Sequence, residues 1–357
     1  MENKIKIFFV LPTLFAGGAE RVMSFVSQNL DKEKFDVTLV VIGLEKESKF
    51  PVSGIPVIYL NKTRVMRGVF ALSSLIRKQK PQIVVSSISH LNATMGLISI
   101  VLPKVIFVGR HASILNKVHA SKKSFFQSIF DYFSYGTRKL DHFICQSEDM
   151  KQSIINVHNI DSESISIINN PITQTDVIKT NINKTGIKKF ITVGRLSKTK
   201  GQMRILEVLR QLTIPFHYTI IGDGPLYNDI VNRIKEYGLE DKVTLIKFTD
   251  QVFNYLIEHD IFLQGSYSEG FPNALLESCV VGVPAIAFNS PGGTREIVED
   301  GINGYLVENH EEFVKRLSEN RDWDPEIIRE SVYKKFNKNK IIADYENLFK
   351  EILRKSS

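Results

Sequence analysis

Short apolar runs alternate along the chain with segments whose apolar residues recur at helical spacing. IKIFFVLP (5–12) opens the series and GGAERVMSFVSQNL (17–30) follows with a helical period. FDVTLVVIG, IPVIYL, a helix near 69–80, PQIVVSS, VIFVGRH and HFICQSE continue it. This alternation of apolar runs of strand length with helical segments predicts a parallel sheet covered by helices on both faces. The pattern then restarts. FITVGR (190–195), HYTIIGDG (217–224), KVTLIKF, DIFLQGS and VPAIAFNS form a second strand series, separated by helical stretches such as MRILEVLRQL and LYNDIVNRIKEYG.

A polar stretch rich in Asn and Thr lies between the two series, opened by Asn170-Pro171 and closed by Lys188-Lys189. The expected organisation is therefore an α/β protein of two doubly wound domains, 1–170 and 190–338, joined by a linker over 171–189. Such domains would face each other across a cleft, with the loops after each strand pointing into it. The final apolar-periodic segment, IIADYENLFKEILRK within 339–357, is expected to pack back on the first domain.

A length of 357 residues exceeds what one core usually serves, which agrees with two domains. No run approaches the ~18 apolar residues of a membrane span. The N-terminal apolar run enters a glycine loop and lacks a signal-peptide cleavage pattern, so it reads as a first strand. Cys145 and Cys279 lie far apart with no metal-ligand spacing and read as reduced core thiols. The histidines form no H-x-x-x-H or similar cluster, so no metal site is expected. The formal charge of +7 suits a nucleoside diphosphate or an anionic membrane surface, with simple solubility as the competing reading. The basic residues are dispersed and no nucleic-acid module is recognisable, so nucleic acid is not an expected partner.

Candidate chemistry sits in the loops. In LPTLFAGGAER, Gly17 and Gly18 precede a helix expected to start at about Ala19, offering close backbone approach and free N–H groups to an anion. A plain tight turn competes, and G-x-G-x-x-G is absent. In VGRLSKTKG, Arg195 follows a strand and Lys200 stands just before a helix, a fork and a point charge placed for a diphosphate. IIGDGP supplies Gly222 and Gly224, either a wall of a nucleotide site or an ordinary turn. SEGFPNALLES carries Glu269 before a Gly270-Phe271-Pro272 turn and Glu277 near the end of the first turn of the next helix. Helix capping by Glu277 competes with a ligand role there. NSPGGTREIVEDGINGYLV starts a further helix at Pro291-Gly292-Gly293, and Gly301 and Gly304 make the turn that ends it. His111, directly after a strand, is a candidate for substrate contact, with a structural histidine as the alternative.

Together GGAER, NNP (169–171), GRLSKTKG, IIGDGP, EGFPNALLE, GVPAIAF and PGGTREIVEDGINGYLV resemble the retaining GT-B glycosyltransferases of glycosyltransferase family 4. The resemblance covers nearly the whole chain and is most specific in its second half. It implies a GT-B fold and a donor diphosphate held by Arg195 and Lys200. Glu277 would take the ribose hydroxyls and Glu269 the transferred sugar, with backbone amides of Phe271, Pro272, Asn273, Ala274 and Leu275 at the sugar and phosphate. Gly17 and Gly18 would close over the sugar phosphate, and His111 would stand near the reacting sugar. Gly222, Gly224, Gly270 and Phe248 would border the nucleotide. Lys247 stands where relatives often carry Gly, near the base pocket, which leaves the base open. The resemblance implies catalysis without a divalent metal and without a cofactor, the donor being a nucleoside-diphosphate sugar, expected as UDP.

The chemistry agrees with these roles. Breaking a sugar–phosphate bond adds charge to the leaving diphosphate, where Arg195, Lys200 and helix N-termini would oppose it. A diphosphate leaves without protonation, so Glu269 and Glu277 read better as groups that orient hydroxyls than as a glycosidase pair. The expected function is transfer of a hexose or N-acetylhexosamine to a saccharide or polyprenyl-linked saccharide acceptor in bacterial surface polysaccharide synthesis. The expected location is the cytoplasm, peripheral to the inner face of the plasma membrane. Alternatives are a sugar-nucleotide epimerase or phosphorylase of similar outline, or a non-catalytic sugar-nucleotide-binding protein. The segment 117–140 is basic, with Phe125, Phe126, Phe130 and Phe133 at roughly helical spacing, and is a candidate interfacial helix. A core-facing Phe stripe is the competing reading.

Overall fold

The computed structural model describes residues 4–15, 17–49, 51–114, 134–180 and 185–356. The apolar runs form thirteen strands among these residues, all parallel. They are β1 (Ile5–Leu11), β2 (Phe35–Val41), β3 (Val57–Tyr59), β4 (Ile83–Ser87), β5 (Ile106–Arg110), β6 (His142–Cys145) and β7 (Ile165–Ile167). The second series is β8 (Lys188–Val193), β9 (Phe216–Ile221), β10 (Val243–Ile246), β11 (Ile261–Gln264), β12 (Ala285–Phe288) and β13 (Gly304–Val307). They build two sheets, ordered β3-β2-β1-β4-β5-β6-β7 and β10-β9-β8-β11-β12-β13.

The chain divides into two units, one of residues 1–170 with 339–357 and the other of residues 171–338. In the first unit β1 shows why the centres of these runs are apolar. Ile7, Phe9 and Leu11 join one core, while Phe8 and Val10 join the core on the opposite face. The helix Lys338–Ser356 completes the first of these cores with Ile341, Tyr345, Leu348 and Phe349. Phe349 packs edge-on against Phe9 and Phe35, with ring centroids 6.2 and 6.4 Å apart. The second sheet splits in the same way. Phe190, Tyr218 and Leu263 face one core, and Ile191, Ile221 and Phe262 face the other.

The stretch 171–189, expected as a linker, is bound to the second unit where it is described. Ile172 is buried and its N–H donates to Phe336 O at 2.9 Å, and Lys179 N–H donates to Val281 O at 2.8 Å. Its polar composition concealed these few anchoring residues. Cys145 and Cys279 are free, buried thiols whose pKa burial pushes up to about 12, so both are packing residues. No described helix is long and apolar enough to cross a membrane. Of the proposed interfacial segment 117–140, residues 117–133 lie outside the described residues.

Each sheet reverses its strand order once, between β1 and β4 and between β8 and β11. Loops leaving the carboxyl ends of such a strand pair diverge and open a crevice.

Candidate active site

In the second unit the crevice lies between the loops that follow β8 and β11. After β8 the chain passes Arg195, makes a 3-10 turn over Lys198–Lys200, and enters the helix Gln202–Leu209 through Gly201 at φ 62. After β11 it passes Gly265 and Ser266, reaches Glu269, and enters the helix Asn273–Val280. The two loops touch backbone to backbone at Gly201 and Gly265. Tyr267 N–H then donates to Thr199 O at 2.8 Å.

This approach sets Lys200 on Glu269. The Lys200 ammonium donates to both carboxylate oxygens, at 2.7 and 2.8 Å, and Ser266 Oγ donates to Glu269 Oε1 at 2.6 Å. Glu269 is 8% exposed and Lys200 35% exposed, so the pair forms a rim with the acid inward and the cation outward. A cavity of about 30 Å³ beneath them is lined also by Thr192, Gln202, Gln264 and Pro272. Arg195 is exposed, and its guanidinium has no partner among the described residues. The site therefore carries one cation held by a buried carboxylate and one open to an anion.

Neighbouring loops fix this geometry. Gly222 and Gly224 lie against the backbone that carries Arg195. A Cβ on Gly222 would stand 2.0 Å from Gly194 O, and one on Gly224 2.4 Å from Leu196 O. Of the two readings of IIGDGP, close backbone packing is therefore a sufficient reason for both glycines. The Pro291-Gly292-Gly293 loop after β12 braces the acidic loop. Glu269 N–H donates to Pro291 O and Gly293 N–H to Gly270 O, both at 3.0 Å, and Gln264 Nε2 donates to Thr294 Oγ1 at 2.8 Å. The helix expected at that loop is only the four residues Thr294–Ile297, and Gly304 begins a strand rather than a turn.

Glu277 is the fifth residue of its helix, and the first turn contains no acid. The capping explanation therefore fails, because a carboxylate beyond the first turn is past the reach of the dipole's positive end. Glu277 is buried, within 3.5 Å of Thr173 Oγ1. Phe271 turns its ring inward, edge-on to Phe336 at 5.4 Å, which leaves the backbone of Phe271, Pro272 and Asn273 as the part of the turn able to meet a ligand. Ala274 lines the cavity and Leu275 is core. Phe248 is 81% exposed, and Lys247 Nζ rests over the Tyr227 ring at 4.6 Å.

The remaining candidates belong to the first unit. The helix Gly18–Asn29 starts one residue earlier than expected, with Gly17 as its cap. The Glu20 carboxylate folds back over this end, 2.0 Å from where a Cβ on Gly17 would lie, and burial raises its pKa. The chain's own acid thus stands beside Gly17 at this helix end, while Gly18 is exposed. His111, expected to face substrate, is instead fully buried between Phe143 and His158, with ring centroids at 6.0 and 6.3 Å. Burial, helped by His158 and Arg110, lowers its pKa to about 3, so it is a neutral imidazole inside the unit. The strand-end position signalled a site, but the Phe143 surface captures the ring.

Sequence reasoning passed over four residues that shape these regions. Ser266 and Gln202 support the ion pair and the Arg195 loop, Gln202 by donating to Arg195 O at 3.1 Å. Arg204 lies across the Phe288 and Tyr267 rings, at 3.3 and 4.5 Å, and props the Tyr267 loop. Ile88, at the end of β4, holds φ 82, a conformation that disfavours a β-branched residue and marks strain at the first sheet's crevice. Only the position of Ser266 after a strand could have signalled its role. Among the described residues no group of three or more His, Cys, Asp or Glu is arranged to hold a metal ion.

Comparison with known proteins covers most of the chain. Residues 174–322 match the family model described as "Glycosyl transferases group 1", and residues 16–175 match "Glycosyltransferase Family 4". An uncharacterized glycosyltransferase of Haemophilus influenzae is 27% identical over 326 residues, spanning 87% of this chain and 88% of that protein. The Escherichia coli UDP-Gal:alpha-D-GlcNAc-diphosphoundecaprenol alpha-1,3-galactosyltransferase is 24% identical over 98% of this chain and 95% of its own length. Among solved structures, the apo lipopolysaccharide outer core galactosyltransferase WaaB superposes with a TM-score of 0.79 at 22% identity, covering 97% of this chain and 99% of that one.

Proposed function

We propose that this chain, a glycosyltransferase of GT-B architecture, moves a hexose or N-acetylhexosamine from a UDP-sugar to a saccharide or polyprenyl-linked saccharide. It does so with retention at the anomeric carbon, without a divalent metal or cofactor, at the cytoplasmic face of the plasma membrane. Several relatives are bacterial enzymes named for lipopolysaccharide or polysaccharide synthesis, and the name of the Escherichia coli relative specifies a UDP-sugar donor and a lipid-diphosphate acceptor. Those names support the donor and acceptor classes assigned here.

The observation that carries the reading is the Lys200–Glu269 pair at the strand-order reversal, with the exposed Arg195 on the same loop. In the proposed reaction the bond from the sugar C1 to the phosphate oxygen breaks and its electron pair stays with the diphosphate. The acceptor hydroxyl oxygen bonds to C1 from the same face and gives its proton to the departing phosphate oxygen. Arg195 and Lys200 oppose the charge that appears on the diphosphate, a stabilisation strongest where water is excluded. Glu269 keeps Lys200 in place before the donor arrives and then accepts from a sugar hydroxyl. Glu277 accepts from the ribose hydroxyls.

The test is incubation with UDP- and GDP-sugars and saccharide or lipid-linked acceptors in the presence of EDTA. Acceptor-dependent release of UDP that EDTA leaves unchanged, with an axial or equatorial linkage matching the donor, is the expected result. Absence of release across the panel, an inverted linkage, or loss of activity with EDTA contradicts it.

A further inference from the structure

We propose that the solvent face of the helix Val65–Gln79 docks the protein on an anionic lipid bilayer. This inference concerns where the protein sits. It rests on the membrane-face location proposed above, and its test reads binding rather than turnover, so a failure of binding leaves the transfer chemistry to its own test.

The helix buries Gly68, Leu72 and Ile76 on one side. At ~100° per residue, Met66, Phe70, Ser74, Arg77, Arg67 and Lys78 fall within an arc of about 120° on the other side. Phe70 is 88% exposed and Met66 59% exposed, so two large apolar side chains stand largely in water among the described residues. Isolated exposed apolar residues are common, but these are four residues apart on one face and framed by cations.

The charge on this segment is one-sided. Residues 60–82 contain Lys62, Arg64, Arg67, Arg77, Lys78 and Lys80 and no Asp or Glu. Every other described α-helix with a Lys or Arg also carries an acid, as Pro325–Phe336 does with Glu326, Arg329, Glu330, Lys334 and Lys335. The other charged α-helices among the described residues therefore mix signs, and this one does not. The acids Glu45 and Glu47 lie on a turn joined to the start of this segment, where Glu45 N–H donates to Asn61 Oδ1 at 3.3 Å. Lys46 and Lys49 balance them there.

An amphipathic helix with a cationic rim and an aromatic apolar centre suits the headgroup region of an anionic leaflet. The phosphates meet the Lys and Arg heads while Phe70 and Met66 enter the acyl boundary. A protein partner would need complementary acids and a shaped apolar surface, whereas a bilayer requires only negative charge and depth.

The experiment is vesicle flotation of the full chain at low and high salt. It uses phosphatidylcholine vesicles with and without about one third phosphatidylglycerol. Binding to the anionic vesicles at least ~10-fold stronger than to neutral ones, weakened by salt, is expected. The triple substitution Arg67→Glu, Arg77→Glu, Lys78→Glu, and separately Met66→Ser with Phe70→Ser, should each reduce it by about tenfold or more. Both sets lie on a face with no packing to lose, so melting temperatures should hold within about 2 °C. Equal partition to both vesicle types, absence of binding, or wild-type binding by both variants overturns the proposal. So does self-association that Phe70→Ser abolishes without any vesicle binding.

Discussion

Gly201 and Gly265 meet backbone to backbone at the strand-order reversal of the second sheet. A Cβ on Gly201 would lie 2.0 Å from Gly265 O, and a Cβ on Gly265 would lie 2.3 Å from Gly201 O. No side chain fits on either partner, and Gly201 also holds a left-handed φ of 62. The contact is what delivers Lys200 to Glu269. Gly265→Ala should force the loops apart, lower stability by about 2–4 kcal/mol, and reduce donor affinity more than a core substitution of equal cost. Denaturant unfolding with donor titration checks this. An alanine at Gly265 that leaves both unchanged would remove the contact from the account.

The Lys200–Glu269 pair leads to an asymmetric expectation. Glu269 is the more buried partner, and removing Lys200 takes away the one cation paired with it among the described residues. Lys200→Met should therefore cost about 1–3 kcal/mol in the free protein, while Glu269→Gln, which keeps the Ser266 hydrogen bond, should cost less. Both should depress turnover, Lys200→Met through weaker donor binding and Glu269→Gln chiefly in kcat. A calorimetric melt beside steady-state kinetics separates the two.

Acid should act on the first unit through its buried imidazoles. Burial, the largest cause in each case, lowers His111 to about 3 and His142 and His158 to about 4. Unfolding returns each to near 6.5, so below that pH the unfolded chain binds protons that the folded chain refuses. Stability is then full above pH ~6.5 and falls toward pH ~4, by up to about 1.4 kcal/mol per pH unit for each group. Melting temperature followed from pH 7.5 to 5 should decline, and His111→Phe should make the decline shallower. A pH-independent melt would contradict the burial of these rings.

The ease of reading this fold from sequence follows from burial on both faces. Strands such as β1 and β8 announce themselves because their central residues, Ile7 to Leu11 and Phe190 to Ile191, are buried on both faces and apolar. The strands missed are those without such a run. β7 is three residues, Ile165–Ile167, with only Ile165 buried. β13 begins at Gly304, where a Cβ would meet Ala285 O at 2.1 Å, so a glycine that signals a turn serves a sheet contact. At the candidate site, the members of the Lys200–Glu269 pair and the nearby Arg195 were suggested by being charged residues in the loops that follow apolar strands. The fate of His111 was not, since the ring's direction depends on Phe143 and His158, distant in sequence.

The central claim is that the loop after β8 grips a diphosphate, and Arg195 tests it most directly because its exposed side chain contributes little to folding. Isothermal titration of UDP into the wild type and Arg195→Ala is the measurement. The account predicts an unchanged melting temperature with UDP affinity at least ~10-fold weaker in the variant. Equal affinity in the two proteins would contradict it.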